Sequence, residues 1–460
     1  MKRNWVGQKV LILGAARQGL ALARYLSGRG ALATLSDQRS AEQLAPAAQS
    51  LEGLPIHWAL GGHPDHLLDD TDLVCVSGGV PLTLPIVQDA LLRGIPLTND
   101  SQIFMDEVQA PVIGITGSAG KTTTTTLIGR MAHDFAARTG RKAWIGGNIG
   151  LPLVEYVDAI QPDDLVVVEF SSFQLELMAT APHVAAVLNI TPNHLDRHGT
   201  FAAYTAAKAR ILQFQTEGDV AVLNPEDPGS WGLREIVRGR LVTFGIDCGP
   251  GEGACLDGDQ IIYQSGEGAQ PLLRSQAVAL RGAHNLRNVL AACAVACASG
   301  FPVESIRAGI DGFGGVEHRL EFVRSWRGSV WYNDSIATAP ERTIAAVQSF
   351  EEPLVLLLGG RDKNLPWDRL AQLVHNRVDH VVVFGEAAGK ILQAIGPLES
   401  GERLQSVTHQ PDLHSAVLAA AEIVEPGDVV LLSPGGTSYD EFADFAARGE
   451  RFREWVNELL

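Results

Sequence analysis

The 460-residue chain has no apolar run that reaches ~18 residues, so no segment reads as a membrane span. Positive charge is in deficit. Lysine and arginine number 36 against 53 acidic residues, a formal net charge of -17, which excludes a nucleic-acid backbone as a partner. Cysteine is scarce: Cys75, Cys248, Cys255, Cys293 and Cys297 contain no CxxC pair, which argues against a zinc site. Cys293 and Cys297, four apart in an alanine-rich stretch, read as helix core. An odd count at irregular spacing points to a reducing compartment. The opening "MKRNWVGQKVLILG" passes straight into a strand with no leader, so a soluble cytoplasmic protein is expected. Short-period repeats and disordered tracts are also missing. What remains is ordinary globular composition, 46% hydrophobic and 19% charged, and a length that calls for about three domains. Acidity does not exclude a phosphorylated small substrate, because local lysines and helix ends can still bind one.

The pattern of elements is α/β in three segments. Over 1–99, the strands "KVLILG" and "ALATLSD" flank a glycine turn and helix, and "DLVCVSGGV" and "GIPLTND" supply further strand ends. Alternation of this kind predicts a parallel sheet that binds ligands at the carboxyl ends of its strands. The turn Gly14-x-Ala16-x-x-Gly19 falls short of a full GxGxxG, and Asp37 ends the second strand as in dinucleotide folds. NAD, a nucleotide-like ligand such as UDP, and a tight turn with no ligand are all compatible with it. The segment 100–315 turns to Gly, Asp and Gln around 245–280, where hairpins are expected. The segment 316–460 again alternates strands ("SVWYND", "PLVLLLGG", "HVVVFG", "DVVLLSPGG") with helices.

"GITGSAGKTTTTTL", from Gly114 to Leu127, carries the chemistry of the middle segment. Gly117, Ser118, Ala119 and Gly120 let backbone N–H groups converge on phosphate oxygens, at a helix amino terminus that favours anions. Lys121 would reach the β- and γ-phosphates of ATP, and Thr122 or Thr123 would place a hydroxyl on Mg²⁺. The strict loop pattern wants glycine where Ile115 stands, so this is a shortened variant. A structural turn with a solvated lysine is the weaker alternative. Glu169 ends the apolar run "LVVVE", and a carboxylate at a buried strand terminus needs a compensating charge, which a metal ion beside a phosphate loop supplies. An edge glutamate with no role is the competing reading.

"NITPNHLDRHGTFAAYTAAKARI" crowds His194, Asp196 and Arg197 into a short loop before a helix bearing Lys208. With "GITGSAGKTT", "GGNIGLP", "EFSSFQLE" and "GAHNLRNVLAA", in this order over nearly the whole chain, the sequence resembles the Mur ligase superfamily. The short first segment, "GVEHRLE", "NDSIATAPE", "LLLGGRDKNL" and "LLSPGGTSYDEFADFAARG" resemble the members that add glutamate. The resemblance implies three domains: a Rossmann-like UDP-substrate domain (1–99), a phosphate-loop ATPase domain (100–315) and a Rossmann-like amino-acid domain (316–460). It also implies a monomeric ATP- and Mg²⁺-dependent ligase that joins D-glutamate to UDP-N-acetylmuramoyl-L-alanine in peptidoglycan precursor synthesis.

Residue roles follow from the same resemblance. Ala15, Asp37, Gln38, Arg39 and Gly79 would hold UDP, and Asn148 would touch the muramoyl moiety. His194 would contact a magnesium or the substrate, and Lys208, as a carbamate, would become an anion able to bind a second Mg²⁺. Without the resemblance, Lys208 reads as a solvated helix lysine. Asn285, Asn288, Arg319 and Asp334 would contact ATP, Arg319 near the γ-phosphate and Asp334 at the ribose. His318 would sit where the third domain meets the nucleotide. Thr338, Lys363, Ser438 and Phe445 would surround glutamate. The chain departs from the family pattern after "NDS", where lysine is usual and Ile336 stands.

The implied chemistry is phosphorylation of the L-alanyl carboxylate by ATP, then attack of the glutamate amine on the acyl phosphate. Mg²⁺, Lys121 and Arg319 would neutralise the charge. Reactants drawn from three domains imply closure. No enzyme nucleophile is required, in keeping with the lack of a Ser–His–Asp arrangement. Four rivals remain. The same ligase could take L-glutamate. A folylpolyglutamate synthetase-like ligase lacks the first domain. A NAD-dependent dehydrogenase leaves the phosphate loop and Glu169 idle. A non-catalytic nucleotide-binding regulator has no use for His194 and Lys208.

Overall fold

The structure, a computed structural model, describes residues 3–280, 282–398 and 403–460; the side chain of Asp196 lies outside the described set. Contacts divide the chain into two compact units, one of residues 1–279 with 283–313 and one of 280–282 with 314–460.

The first unit holds two sheets. The amino-terminal sheet is parallel, in the spatial order Ile56–Leu60, Leu32–Asp37, Lys9–Leu13, Leu73–Val76, Leu97–Thr98. The larger sheet runs Gly268–Arg274, Gln260–Ser265, Glu252–Asp257, Arg240–Phe244, Val220–Leu223, Val184–Val187, Val112–Thr116, Leu165–Glu169, Ala143–Gly147. Its inner strands are continuous apolar runs, the pattern of parallel strands covered on both faces. "VIGIT" is buried along its whole length between Val184–Val187 and Leu165–Glu169. In that register Ile115 pairs with Glu169, so the phosphate loop and the carboxylate leave neighbouring strands at the same carboxyl edge. The two sheets share one buried cluster, with Val10, Ile12 and Leu35 in the same core as Val166, Val168 and Tyr204. Ion pairs Arg24–Glu155 and Arg29–Asp158 fasten the outside of that junction.

The helix Lys121–Thr139 opens with five threonines, whose β-branching makes them indifferent helix formers. Thr123, Thr124 and Thr125 are buried, so packing rather than propensity holds this turn, against the helices Ala283–Ala298 and Val303–Ile310. The Gly-, Asp- and Gln-rich stretch forms the expected hairpins, an antiparallel meander from Glu252 to Arg274. Cys248 and Cys255 are disulfide-bonded at the start of this meander, a pairing their irregular spacing does not announce. Cys75, Cys293 and Cys297 are free thiols.

In the second unit the strand order is Glu321–Trp326, Ser329–Asn333, Val429–Gly435, Leu354–Gly359, His380–Phe384, Ser406–Gln410. The first pair is antiparallel and the rest are parallel. Apolar clusters cover both faces, one around Leu356, Val381 and Leu431, the other around Val355, Val382 and Val430. Alternate residues of the same strands thus feed opposite cores. Among the described residues no helix is long and apolar enough to cross a membrane.

Candidate active site

The phosphate loop is braced by the protein's own hydrogen bonds. Ser118 N–H donates to the Asn189 carbonyl at 2.9 Å, Ala119 N–H to Asn189 Oδ1 at 2.8 Å, and Asn189 Nδ2 back to the Ala119 carbonyl at 3.1 Å. The Ser118 hydroxyl lies 2.9 Å from Tyr204 Oη and 3.0 Å from the Thr191 carbonyl. Gly120 adopts a left-handed conformation, with φ 82°, to turn the chain into the helix. Lys121 Nζ curls back to the Gly117 carbonyl at 2.9 Å.

Glu169 is 1% exposed, and both of its oxygens are engaged. Thr122 Oγ1 donates to Oε2 at 3.0 Å and Asn148 Nδ2 to Oε1 at 2.8 Å. A hydroxyl and a carboxylate in contact beside a phosphate loop form the donor set that Mg²⁺ accepts while taking its other ligands from phosphates and water. Among the described residues no group of three or more His, Cys, Asp or Glu is placed to hold a metal. The residues present therefore fit an ion held jointly with a bound phosphate, and not an all-protein cage. Thr123, buried on the same turn, offers no comparable contact with Glu169.

Lys208 is 1% exposed, on the helix Phe201–Gln213. Its Nζ donates to the Gly117 carbonyl at 2.8 Å and to Thr116 Oγ1 at 3.3 Å. Burial pushes its ammonium down to about 6, the Lys121 charge adds to the effect, and Glu169 opposes it. The solvated-lysine reading is thereby removed. A neutral buried amine next to a carboxylate and a cation is chemically competent to take up CO₂. His194 is exposed, with φ 51°, a strained backbone for a non-glycine residue. Its ring packs edge-on against Phe173 at 5.2 Å. The neighbouring His198 stacks on the same ring at 5.1 Å and is fixed by Ser172 and Glu176. Arg197 Nη1 reaches the Gly79 carbonyl at 3.1 Å, so the "SGGV" loop and the histidine loop are joined.

A cavity of about 280 Å³ opens behind the phosphate loop, lined by Gly120, Asn189, Glu226, Phe244, Arg287 and Asn288 among others. Asn288 lines it directly. Asn285 stands behind and accepts from Asn288 Nδ2 at 3.2 Å. Sequence reading misses Asn189, Glu226, Phe244 and Arg287. Of these, Arg287 sits inside "GAHNLRN", one residue from Asn288, and its Nε grips Glu226 at 2.7 Å. The others come from separate strand ends that only folding assembles.

In the amino-terminal sheet Asp37 gathers Ala15 and Arg39. Its Oδ1 accepts from Arg39 N–H and Nε, each at 2.9 Å, and its Oδ2 accepts from Ala15 N–H at 2.7 Å and Arg39 Nη2 at 2.8 Å. Arg39 therefore holds the Asp37 carboxyl far below the usual range. A carboxylate has about four acceptor positions, and all are used, so Asp37 acts by holding Ala15 and Arg39 in place and not by accepting from a ribose hydroxyl. Gln38 is exposed beside this cluster.

The second unit carries its own constellation. Asp334 is 5% exposed and accepts from Ser433 Oγ at 2.8 Å and Leu320 N–H at 3.2 Å; burial pushes its carboxyl up to about 7. Arg319 is held between His318 (φ 62°) and Leu320 (φ 44°), both in left-handed backbone. His318 is buried, 3.0 Å from Asn333 Nδ2 and edge-on to Phe445. Lys363 Nζ meets Thr338 Oγ1 at 3.4 Å. Ser438 is buried, and the Phe445 carbonyl accepts from Ser335 Oγ at 2.8 Å. Arg448, wholly buried, escapes sequence reading. It binds Ser335 Oγ at 3.0 Å and the carbonyls of Ser335 and Gly436. Its signal is the spacing of three from Phe445 on one helix face.

Comparison with known proteins follows the same division. The profile described as "Mur ligase MurD-like, N-terminal domain" matches residues 8–99, "Mur ligase middle domain" matches 115–296, and "Mur ligase, glutamate ligase domain" matches 318–436. The chain is 40% identical over 460 residues to the UDP-N-acetylmuramoylalanine--D-glutamate ligase of Pelotomaculum thermopropionicum, covering 100% of this chain and 99% of that one. It is 39% identical over 454 residues to the ligase of the same name from Symbiobacterium thermophilum, with 98% of each covered. Among solved structures it shares its fold with the UDP-N-acetylmuramate-alanine ligase MurC of Thermotoga maritima (TM-score 0.57, 20% identity, 98% of this chain and 99% of that one). The same holds for the MurF ligase of Thermotoga maritima in complex with ADP (TM-score 0.54, 19% identity, 100% and 99% covered).

Proposed function

Because the chain belongs to the Mur ligase family, we propose that it joins D-glutamate to UDP-N-acetylmuramoyl-L-alanine, with ATP cleaved to ADP and phosphate, in peptidoglycan precursor synthesis. The observation that carries the reading is the contact of Thr122 with Glu169 at the phosphate loop, beside a buried amine, Lys208, whose ammonium form is disfavoured. A plain nucleotide binder needs the loop alone. A dehydrogenase would leave the phosphate loop and the Thr122–Glu169 contact without a role.

In this reading the domains are 1–99 for the UDP-substrate, 100–315 for ATP and 316–460 for the amino acid. Gly117, Ser118, Ala119 and Gly120 are assigned to the phosphates, which the amino terminus of the following helix orients, since the Ser118 and Ala119 N–H groups are given to Asn189; Lys121 leaves the Gly117 carbonyl to neutralise the β- and γ-phosphates. Thr122 and Glu169 would hold Mg²⁺, which when bound offsets charge on the transferred phosphoryl group. Lys208 adds its lone pair to CO₂ and loses a proton; the resulting carbamate, with His194, would hold a second ion. The substrate's alanyl carboxylate attacks the γ-phosphorus, ADP leaves, and the amine of glutamate displaces phosphate from the acyl carbon. Ala15, Asp37, Gln38, Arg39 and Gly79 are assigned to UDP, and Asn148 to the muramoyl side. Asn285, Asn288, Arg319 and Asp334 are assigned to ATP. Thr338, Lys363, Ser438 and Phe445 are assigned to glutamate. We place the enzyme in the cytoplasm as a monomer.

The test is ADP release by the purified protein, with and without UDP-N-acetylmuramoyl-L-alanine, across a panel of amino acids that includes both glutamate enantiomers. Release that requires both the UDP-sugar and D-glutamate is expected. Release with L-glutamate alone would correct the acceptor, and release with no UDP-sugar would reject the function.

A further inference from the structure

We infer that Arg342 is a second cationic anchor for the amino-acid substrate, holding the carboxylate of glutamate that Lys363 does not; this rests on the function proposed above. A dicarboxylate bound through both ends needs two cationic or strongly donating partners, because a desolvated carboxylate left unmatched is costly. The resemblance assigns one cation, Lys363, and the loop that carries Thr338 contains none: it reads Ser335-Ile336-Ala337-Thr338.

The geometry points to where the second cation comes from. Arg342 lies in the first turn of the helix Pro340–Val347, and its Nη1 donates to the Ile336 carbonyl at 3.0 Å. Thr338 N–H shares that same carbonyl at 2.9 Å, and the Thr338 hydroxyl is the group that Lys363 Nζ meets at 3.4 Å. The Arg342 guanidinium and the Lys363 ammonium are therefore both tied to one short loop, at residues two apart.

Two exposed cations on neighbouring segments have carboxylate partners, and Arg448, which also binds this loop through Ser335, is wholly buried. Arg361 is held by both carboxylate oxygens of Glu386, and Lys390 by Asp362. Among the described residues Arg342 and Lys363 have no carboxylate partner. Asp334 feels the Arg342 charge but does not pair with it. The loop itself is stiff: Ile336 N–H bonds the His318 carbonyl at 3.0 Å, Ala337 N–H the Asp334 carbonyl at 2.9 Å, and Gly435 N–H the Ala337 carbonyl at 2.9 Å. Two cations tied to one loop offer a partner for each end of a small dicarboxylate. Arg342 is exposed, as a group that must meet an incoming anion has to be.

The experiment is steady-state ligation by the full-length protein and by Arg342→Gln and Arg342→Lys, with glutamate, ATP and UDP-sugar each varied in turn. In Arg342→Gln the KM for glutamate should rise about tenfold or more, with kcat much less affected and KM for ATP unchanged, the pattern of lost ground-state binding. Arg342→Lys should recover most of it. Two half-amides locate the contact: D-glutamine and D-isoglutamine each lack one carboxylate. Wild type should discriminate against both, and Arg342→Gln should lose its discrimination against one alone. An unchanged KM for glutamate in Arg342→Gln overturns the inference and leaves a loop brace. A rise confined to KM for ATP overturns it in favour of a phosphate contact. Wild-type protein that ligates no glutamate sinks the underlying function, and this inference with it.

Discussion

Asn148 and Glu169 are bonded twice: the Asn148 side-chain amide donates to Glu169 Oε1 at 2.8 Å, and its backbone N–H donates to the Glu169 carbonyl at 2.9 Å. The loop that carries Asn148 is in turn gripped by Arg17, whose guanidinium donates to the carbonyls of Asn148 and Gly150, each at 3.0 Å. Arg17 opens the helix that follows the glycine turn of the amino-terminal sheet. A continuous set of hydrogen bonds thus runs from the proposed UDP turn to the carboxylate proposed for magnesium. In this arrangement Asn148 orients Glu169 before it touches any sugar.

That arrangement separates two variants. Glu169→Gln removes the charge that would hold the ion and should lower kcat by about 10²–10³, with no recovery at high Mg²⁺. Asn148→Ala leaves the carboxylate but frees one oxygen, and should weaken the apparent affinity for Mg²⁺ by about 10–100-fold. Raising Mg²⁺ should restore Asn148→Ala toward wild type. ADP release titrated with Mg²⁺ measures both, and equal behaviour of the two variants would contradict the division of roles.

Lys208 should be intolerant of change for a reason unlike that of Lys121. Lys208→Ala is expected to lose activity by orders of magnitude while staying folded, and short carboxylic acids should restore part of it by replacing the lost anion. The pH dependence has a definite sign. The ammonium is pushed down to about 6, so the amine is neutral above that pH and available to CO₂, and becomes protonated below it. Wild-type activity should therefore fall as pH drops through about 6, and removal of dissolved CO₂ at pH 8 should mimic the fall. Activity indifferent to CO₂ would leave Lys208 as a buried packing residue.

Asp37 supplies an opposite case. Its carboxyl is held below the ordinary value by Arg39, with the Ala15 N–H adding to it. A depressed folded-state pKa stabilises the protein above the unfolded value of about 4, and that contribution disappears as pH falls further. Asp37→Asn should lower the melting temperature at pH 7, and the gap from wild type should narrow below about pH 4. The same variant should raise KM for the UDP-substrate without moving KM for ATP. A gap that persists undiminished at pH 3 would mean that Asp37 acts through packing rather than charge.

Much of this was legible in the sequence because parallel strands announce themselves as unbroken apolar runs. "VIGIT", "LVVVE", "LVLLL" and "HVVVF" are each found as strands. Of the strands that escaped, Val220–Leu223 and Arg240–Phe244 are inner ones, too short to stand out, and others are edges. Ile56–Leu60 and Ser406–Gln410 are only half-buried, and Glu321–Trp326 is antiparallel and partly exposed, so none presents a continuous apolar stretch. The phosphate loop was readable because its residues are contiguous. The cavity behind it was not, since Asn189, Glu226, Phe244 and Arg287 come from different strand ends and a helix and become neighbours only in the folded chain. Arg342 was hidden for a related reason: an arginine in a first helical turn reads as surface until its reach to Ile336 is seen.

The two ends of the helix Lys121–Thr139 allow a paired test of the phosphate loop. Gly120 and Gly140 cap the helix, with φ 82° and 69°, so alanine at either incurs a left-handed backbone strain of about 1–2 kcal/mol. Their surroundings differ. A Cβ on Gly140 meets nothing within 4 Å, whereas a Cβ on Gly120 would lie 2.2 Å from Asn288 Oδ1. Asn288 is buried, lines the cavity behind the phosphate loop and is anchored to Asn285, so it cannot yield without disturbing that wall. Gly140→Ala should therefore lower stability slightly and leave ATP kinetics unchanged. Gly120→Ala should lose at least as much stability and, in addition, reduce kcat/KM for ATP by about a hundredfold, the consequence of a displaced loop backbone and a shifted Asn288. Thermal melts and ADP-release kinetics on the two proteins separate strain from function. Normal ATP kinetics in Gly120→Ala would show that the glycine loop and the cavity behind it do not hold the nucleotide.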